Sequence, residues 1–195
     1  MIEFIRAAMF KYRSYTPLPF LLVMVIFSKP TVLSLVFGFA IVVLGESIRF
    51  WGVSIAGAET RTTGTVGGTF LINIGPFAFV RNPLYVGNML IYFGIGVMSM
   101  ALFPWLLAGA TVWFYLQYFL IVLGEEEYLR GHFGADYDEY YRSVPRFFPR
   151  LTPYRPKNPP PKKVDIQAGF QSERRTLQAV ALTTAIIVVL FFVKQ

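Results

Sequence analysis

The chain has 195 residues, 55% of them hydrophobic and only 15% charged, with a mean hydropathy of +0.52 and a net charge of +7. Soluble domains carry about a quarter charged residues, so these values exclude an ordinary soluble globule and point to an integral membrane protein. There is no cysteine, and His132 is the sole histidine; disulfides, thiolate metal sites and a cysteine nucleophile are excluded, and a histidine metal site or triad has little to build on.

Residues 1–16 place Ile2, Ile5, Ala8 and Met9 at helical spacing among Arg6, Lys11 and Arg13, the pattern of a helix lying on a membrane surface. A first apolar segment, Pro17 to Ser28, stops at Lys29-Pro30. It is short for a span and lacks the small-residue cleavage site of a signal peptide, so it needs residues before Pro17 or a close hairpin with the next helix. The second apolar segment, Thr31 to Ala56, is long enough to cross at ~1.5 Å per residue. Its Glu46 and Arg49 share a face, and either pair locally near the interface or serve a function at depth. A Gly- and Thr-rich loop fills residues 57–83. No charge occurs from Asn82 to Gly124, which is too long for one span and suits a helical hairpin over 84–123 turning near Phe103-Pro104. Residues 124–152 are polar, 153–175 are a Pro-rich, semi-rigid linker, and a last apolar helix, Leu177 to Val193, lies within 176–194.

The expected fold is all-α and integral to the membrane, a single domain over 1–195. It has about five transmembrane helices, an interfacial N-terminal helix and a cytoplasmic helical, polar segment between the fourth and fifth spans. With an inward N-terminus, the inner side holds Arg6, Lys11, Arg13, Arg61, Arg81 and the ten Lys/Arg from Arg130 to Arg175, against Lys29 and Lys194 outside. The positive-inside rule predicts this bias, and the basic balance needs no nucleic acid. Arg146, Arg150 and Lys162-Lys163, with Phe147 and Phe148 beside them, suit anionic lipid head groups.

Two polar clusters break the apolar plan. In "GPFAFVRNPLYVGN", residues 75–88, Pro83 suits a first helical turn and Asn82 an N-cap. Arg81 is a cation where the helix dipole disfavours one. Glu125, Glu126 and Glu127 crowd the end of the fourth span, where the dipole and mutual repulsion oppose them. Either that helix continues, or the carboxylates have cationic partners such as Arg81, or both. His132 reads as a surface or interface histidine.

"GPFAFVRNPLYVG" followed by "EEEYLRGHFGADYDEYYRSVPRFFP" resembles the isoprenylcysteine carboxyl methyltransferase and phospholipid methyltransferase superfamily of integral membrane enzymes. The matching positions are Gly75 and Phe77; Arg81, Asn82, Pro83, Tyr85 and Gly87; and Glu125, Glu126, Leu129, Phe133, Gly134, Tyr137 and Tyr140. The resemblance covers about residues 31–150. It implies an S-adenosylmethionine-dependent methyltransferase of the cytoplasmic membrane, with its site facing the cytoplasm and a lipid-like acceptor in the bilayer. It implies cofactor contacts from Thr69, Phe70, Leu71 and Ile72 largely through backbone, from Phe77 through its ring, from Asn82, Pro83, Leu84 and Tyr85 at the helix start, and from Glu125. Arg81 or free helical N–H groups can hold the cofactor carboxylate, and Glu126 or Tyr137 is a candidate base for an amine acceptor. No metal is implied. On this reading Glu125→Gln and Arg81→Ala each weaken cofactor binding and leave the fold intact. Gly94-Ile95-Gly96 is similar to a Gly-x-Gly of phospholipid members, although small residues there equally allow close helix packing.

The chain departs from the family pattern at two positions. Asn82 stands where the family has His, and an amide can hydrogen-bond but cannot act as a base. Ile121 stands where isoprenylcysteine enzymes carry an Arg for the substrate carboxylate, which makes a prenylcysteine acceptor less suitable than a phosphatidylethanolamine-like amine. The competing readings are an NADPH-dependent membrane reductase of the sterol-reductase-like type, which shares an Arg-His-Pro-x-Tyr motif, and a non-catalytic membrane protein of the same fold.

Overall fold

The second apolar segment, Thr31 to Ala56, folds as the sequence predicts because both of its ends are specified. Thr31 and Ser34 cap each other, the Thr31 N–H donating to Ser34 Oγ (2.9 Å) and the Ser34 N–H to Thr31 Oγ1 (3.1 Å). This is the reciprocal geometry of a capping box with serine in the acidic position. Gly57, at φ +62°, closes the helix in the left-handed region where glycine meets no penalty. The structure, a computed structural model, describes residues 2–57, 70–161 and 163–194. Thr69, expected among the cofactor contacts, and Arg61 and Lys162 lie outside the described residues.

In chain order the helices are α1 (Ile2–Tyr12), α2 (Pro17–Ile26), α3 (Val32–Ala56), α4 (Pro83–Ser99), α5 (Trp105–Phe133), α6 (Ala135–Ser143) and α7 (Ile166–Val193), with a short 3-10 turn at Gly75–Ala78 before α4. Among the described residues α3, α5 and α7 are long and apolar enough to cross a membrane, whereas α2 and α4 are shorter apolar helices. The chain is therefore an all-helical integral membrane protein. The charge-free stretch divides where expected, at Met100–Pro104, with Met100 and Leu102 at positive φ.

One boundary differs from the sequence reading. Helix α7 starts at Ile166, so residues from Ile166 onward are helix and not linker. Asp165 caps it, its Oδ1 accepting the Ala168 N–H at 2.9 Å. Hydropathy hid this turn because Gln167, Gln171, Glu173, Arg174 and Arg175 are polar, but its inner face is specific. Glu173, 1% exposed, pairs with Arg49 of α3 at 2.7 Å, so Arg49 is bound across helices. Gly169 lies so close to α3 that a Cβ there would come within 2.2 Å of Ser54 Oγ.

The chain forms two compact units. One contains Met1–Glu46, Asn88–Ile121 and Thr176–Gln195; the other contains Ser47–Gly87 and Val122–Arg175. In the first, α2 meets α5 through Phe20 and Phe114 (ring centroids 5.2 Å) and through the Thr16 hydroxyl donating to Gln117 Oε1 (2.9 Å). Helices α3 and α4 cross at Gly38 and Gly94, where a Cβ on Gly94 would lie 2.7 Å from the Gly38 carbonyl oxygen. Gly94 is thus a close-packing residue, since only small side chains let two backbones approach this near.

Gly94→Ala should lower stability by about 1–3 kcal/mol, the usual cost of overpacking, because backbone atoms cannot step aside. Gly96→Ala should cost less, since its neighbours are the flexible ends of Leu107 and Met24. Thermal unfolding of the two variants in detergent separates these outcomes.

Candidate active site

All residues of the site belong to the second unit. Its frame is a backbone pairing of two irregular segments. The Arg81 N–H donates to the Pro145 carbonyl (2.9 Å), the Arg150 N–H to Phe79 (3.0 Å) and the Tyr154 N–H to Ala78 (2.8 Å). The chain leaving α6 therefore runs beside the chain entering α4.

Arg81 resolves the puzzle of a cation at a helix start. Its Nε and Nη2 reach Glu126 Oε1 at 3.0 and 2.9 Å, and its Nη1 donates to the carbonyls of Tyr141 (2.6 Å) and Val144. Those carbonyls lie at the C-terminal end of α6, where unsatisfied acceptors and the dipole favour a cation. The guanidinium also stacks over the Tyr141 ring, 4.1 Å from its centroid. Arg81 thus serves the end of α6 as much as the start of α4.

Glu126, 5% exposed, is gripped from its other side by Arg146, whose Nη2 lies 2.6 Å from Oε2 and whose Nε reaches both oxygens at 3.1 and 3.2 Å. Both sequence alternatives for the glutamate run are realised: α5 continues through it to Phe133, and Glu126 has cationic partners. Burial opposes the charge of Arg146, but the hydrogen bonds and the charge of Glu126 outweigh it and raise the guanidinium pKa. Both oxygens of the Glu126 carboxylate are thus committed to charge-assisted bonds from guanidiniums.

Glu125, one residue earlier on α5, points to a different partner, accepting the Tyr85 hydroxyl at 2.6 Å. The Tyr140 hydroxyl donates to the Phe77 carbonyl at 2.8 Å and fixes the 3-10 turn. Tyr137, Tyr140 and Val144 form a buried cluster against which Leu71 and Phe133 pack. Burial pushes the Tyr137 hydroxyl well above the ordinary tyrosine range, and the Glu126 carboxylate adds to the shift. Tyr140 is pushed up too, first by burial and then by Tyr137. Neither phenol is ionised near neutrality, so neither offers a base there.

Gly75, at φ +61°, brings the loop against α3, where a Cβ would fall 2.1 Å from Ile55 Cδ1. Leu84 packs on Gly52, Pro83 is buried, and Phe70 is exposed. The Asn82 side-chain amide donates to the Arg146 carbonyl at 3.3 Å, while the backbone carbonyl of Asn82 accepts the Val86 N–H. Two site residues escaped sequence reasoning. Arg146 was assigned to lipid but turns inward; its signal is that it follows the α6 tyrosines directly. Asn73 is buried with no partner on Oδ1 among the described residues, and the sequence hint is one amide inside the apolar "FLINIG".

Arg81→Ala strips Glu126 of one cation and uncaps α6. It should cost about 3–5 kcal/mol, the range for breaking a buried ion pair, contrary to the expectation of an intact fold. Both buried phenols hold their protons more tightly in the folded protein, so their contribution is complete below about pH 10 and is lost as pH rises past it. The unfolding midpoint should fall above about pH 10, and Tyr137→Phe should flatten that fall. Tyr140→Phe should do the same and also cost about 1 kcal/mol at neutral pH through the lost bond to Phe77. Thermal scans followed by circular dichroism as a function of pH check all three.

The chain matches the model of the phospholipid methyltransferase family over residues 33–136. It is similar to the cobalt-zinc-cadmium resistance protein CzcN of Cupriavidus metallidurans, 34% identical over 108 residues covering 55% of this chain and 45% of that protein. It is also similar to the nickel-cobalt-cadmium resistance protein NccN of Alcaligenes xylosoxydans xylosoxydans, 36% identical over 87 residues covering 45% of this chain and 39% of that protein. The chain thus spans less than half the length of either relative. No solved structure matches it. The family model covers more than half of the chain and includes both polar clusters joined by Arg81–Glu126 and Tyr85–Glu125, and on that basis the chain belongs to the phospholipid methyltransferase family.

Proposed function

We propose that the chain transfers a methyl group from S-adenosylmethionine to a lipid-like acceptor in the membrane. The observation that carries this reading is the bond between Tyr85 and Glu125, which joins the two distant motif blocks in one place beside a rigid ionic frame. In this reading α2 and α4 cross the bilayer with α3, α5 and α7. The ten basic residues between Arg130 and Arg175 favour a site on the cytoplasmic face.

The donor set fits the cofactor. Glu125, oriented by Tyr85, suits its ammonium or ribose hydroxyls. The rings of Phe77 and Tyr85 suit its sulfonium. The buried Asn73 Oδ1, an acceptor without a partner among the described residues, suits a bound N–H. Phe70, Leu71, Ile72, Asn82, Pro83 and Leu84 supply the remaining wall, with Thr69 next in the chain. When bound, the cofactor supplies an electrophilic methyl group for in-line displacement. The chain's own part is to orient the acceptor and exclude water. We assign Arg81, Glu126 and Tyr137 to holding the walls of the site and not to proton transfer, because the two ions neutralise each other and the phenol stays protonated. Ile121 leaves no guanidinium for a prenylcysteine carboxylate, and an amine-bearing phospholipid fits better. The names of the two relatives tie those proteins to metal resistance; methylation of an envelope lipid is the route by which this chain would serve the same physiology.

Calorimetry on detergent-purified protein should show binding of S-adenosylmethionine and none of NADPH. Glu125→Gln should weaken binding about ten-fold or more, the worth of a hydrogen bond to a charged group. Membranes incubated with methyl-labelled cofactor should yield a labelled lipid. NADPH binding in place of S-adenosylmethionine would overturn the reading, and binding of neither would mark a non-catalytic member.

A further inference from the structure

From Tyr141 to Val164 the chain carries seven Lys or Arg and no Asp or Glu. The structure sorts these cations. Arg146 turns inward to Glu126, Arg150 donates to the Ser143 carbonyl at 2.8 Å, and Lys157 pairs with Glu139 at 3.1 Å. Arg142, Arg155 and Lys163 are exposed. Beside them the apolar side chains are equally sorted. Phe147 is buried, but Phe148 is 77% exposed and Leu151 is 99% exposed.

Leu151 is not on a loose tail. The backbone on either side of it is pinned, by the Arg150 N–H to Phe79 and the Tyr154 N–H to Ala78, and Pro149 and Pro153 stiffen the same stretch. A fixed loop that holds a phenylalanine and a leucine outward among arginines is poorly matched to water and well matched to a head-group boundary. The segment also leads directly into α7, a candidate membrane span, with exposed Val164 two residues before it. Clustered cations next to a span find their complement in anionic lipid. A soluble polyanion would use the cations but has no call on the apolar pair.

We propose that residues 142–164 dock on the anionic surface of the bilayer that holds α7, with Phe148 and Leu151 at the head-group–acyl boundary and Arg142, Arg155 and Lys163 on lipid phosphates. This surface is separate from the cofactor contacts and does not depend on the methyl-transfer reading.

The absence of cysteine makes Leu151→Cys the sole thiol, and its exposure means that an environment-sensitive label there disturbs no packing. The full-length labelled protein is placed in nanodiscs of phosphatidylcholine alone and of phosphatidylcholine with phosphatidylglycerol. In the anionic discs the emission should shift to the blue and be quenched by a lipid spin-labelled near its head group. Both effects should weaken at high salt and be smaller in the neutral discs. Combining Arg142→Gln, Arg155→Gln and Lys163→Gln should abolish the difference between the discs. A label equally open to water in both discs overturns the proposal. So does one buried to the same depth in both and indifferent to the triple substitution. Protection appearing only on addition of polyglutamate or an oligonucleotide would assign the surface to a soluble polyanion and overturn it too.

Discussion

One carboxylate between two guanidiniums sets the terms for everything near it. Glu126 is almost fully buried, and an ion so placed is tolerated only if its partners are held as firmly as it is. Two cations on one anion leave a net positive charge, which the carbonyls of Tyr141 and Val144 take up through Arg81. Three stretches of chain are thereby tied to one point: the entry to α4, the polar half of α5 and the exit from α6. Removing Glu126 leaves two cations facing each other without their anion, and removing either arginine leaves the buried carboxylate with hydrogen bonds from one side alone.

That constraint also explains how neighbouring glutamates acquire different roles. Successive residues on a helix point about 100° apart. Since α5 runs on past Gly124, Glu125 and Glu126 face different partners, Tyr85 and the arginine pair respectively. The ionic clamp fixes the rotation of α5 about its axis, and that rotation aims Glu125. On the methyl-transfer reading proposed above, Glu126 positions Glu125, and Glu125 is the carboxylate offered to the cofactor.

Much of this was legible in the sequence, for identifiable reasons. Long uncharged runs located the helices, Phe103-Pro104 marked the hairpin turn, and the objection to an isolated Arg81 and to three crowded glutamates pointed to their pairing. Where the reading fell short, the cause was information that lies across the chain. The first turns of α7 are polar, so their helicity shows only in their fit to α3 through Gly169 and the Arg49–Glu173 pair. Arg146 and Phe147 look like surface residues in an all-basic stretch. Only the pairing of that stretch with residues 78–81 turns them inward and leaves Phe148 and Leu151 outside. The burial of Tyr137, which raises a phenol pKa whatever motif contains it, is likewise set by packing that the local sequence does not display.

The same geometry bears on Asn82, which stands where the family carries histidine. Its side chain donates one hydrogen bond, to the Arg146 carbonyl, and so helps hold the residue that grips Glu126 from the far side. A neutral imidazole also has one N–H to donate, so the amide can do this part of a histidine's work. What it cannot do is titrate near neutrality. An amine acceptor bound as an ammonium would have to lose its proton elsewhere, and neither Glu126, committed to two arginines, nor Tyr137, held protonated, is suited to take it. Asn82 therefore preserves the frame of the site while removing the one side chain at that position able to exchange a proton. This favours an acceptor that arrives already deprotonated or that hands its proton to water.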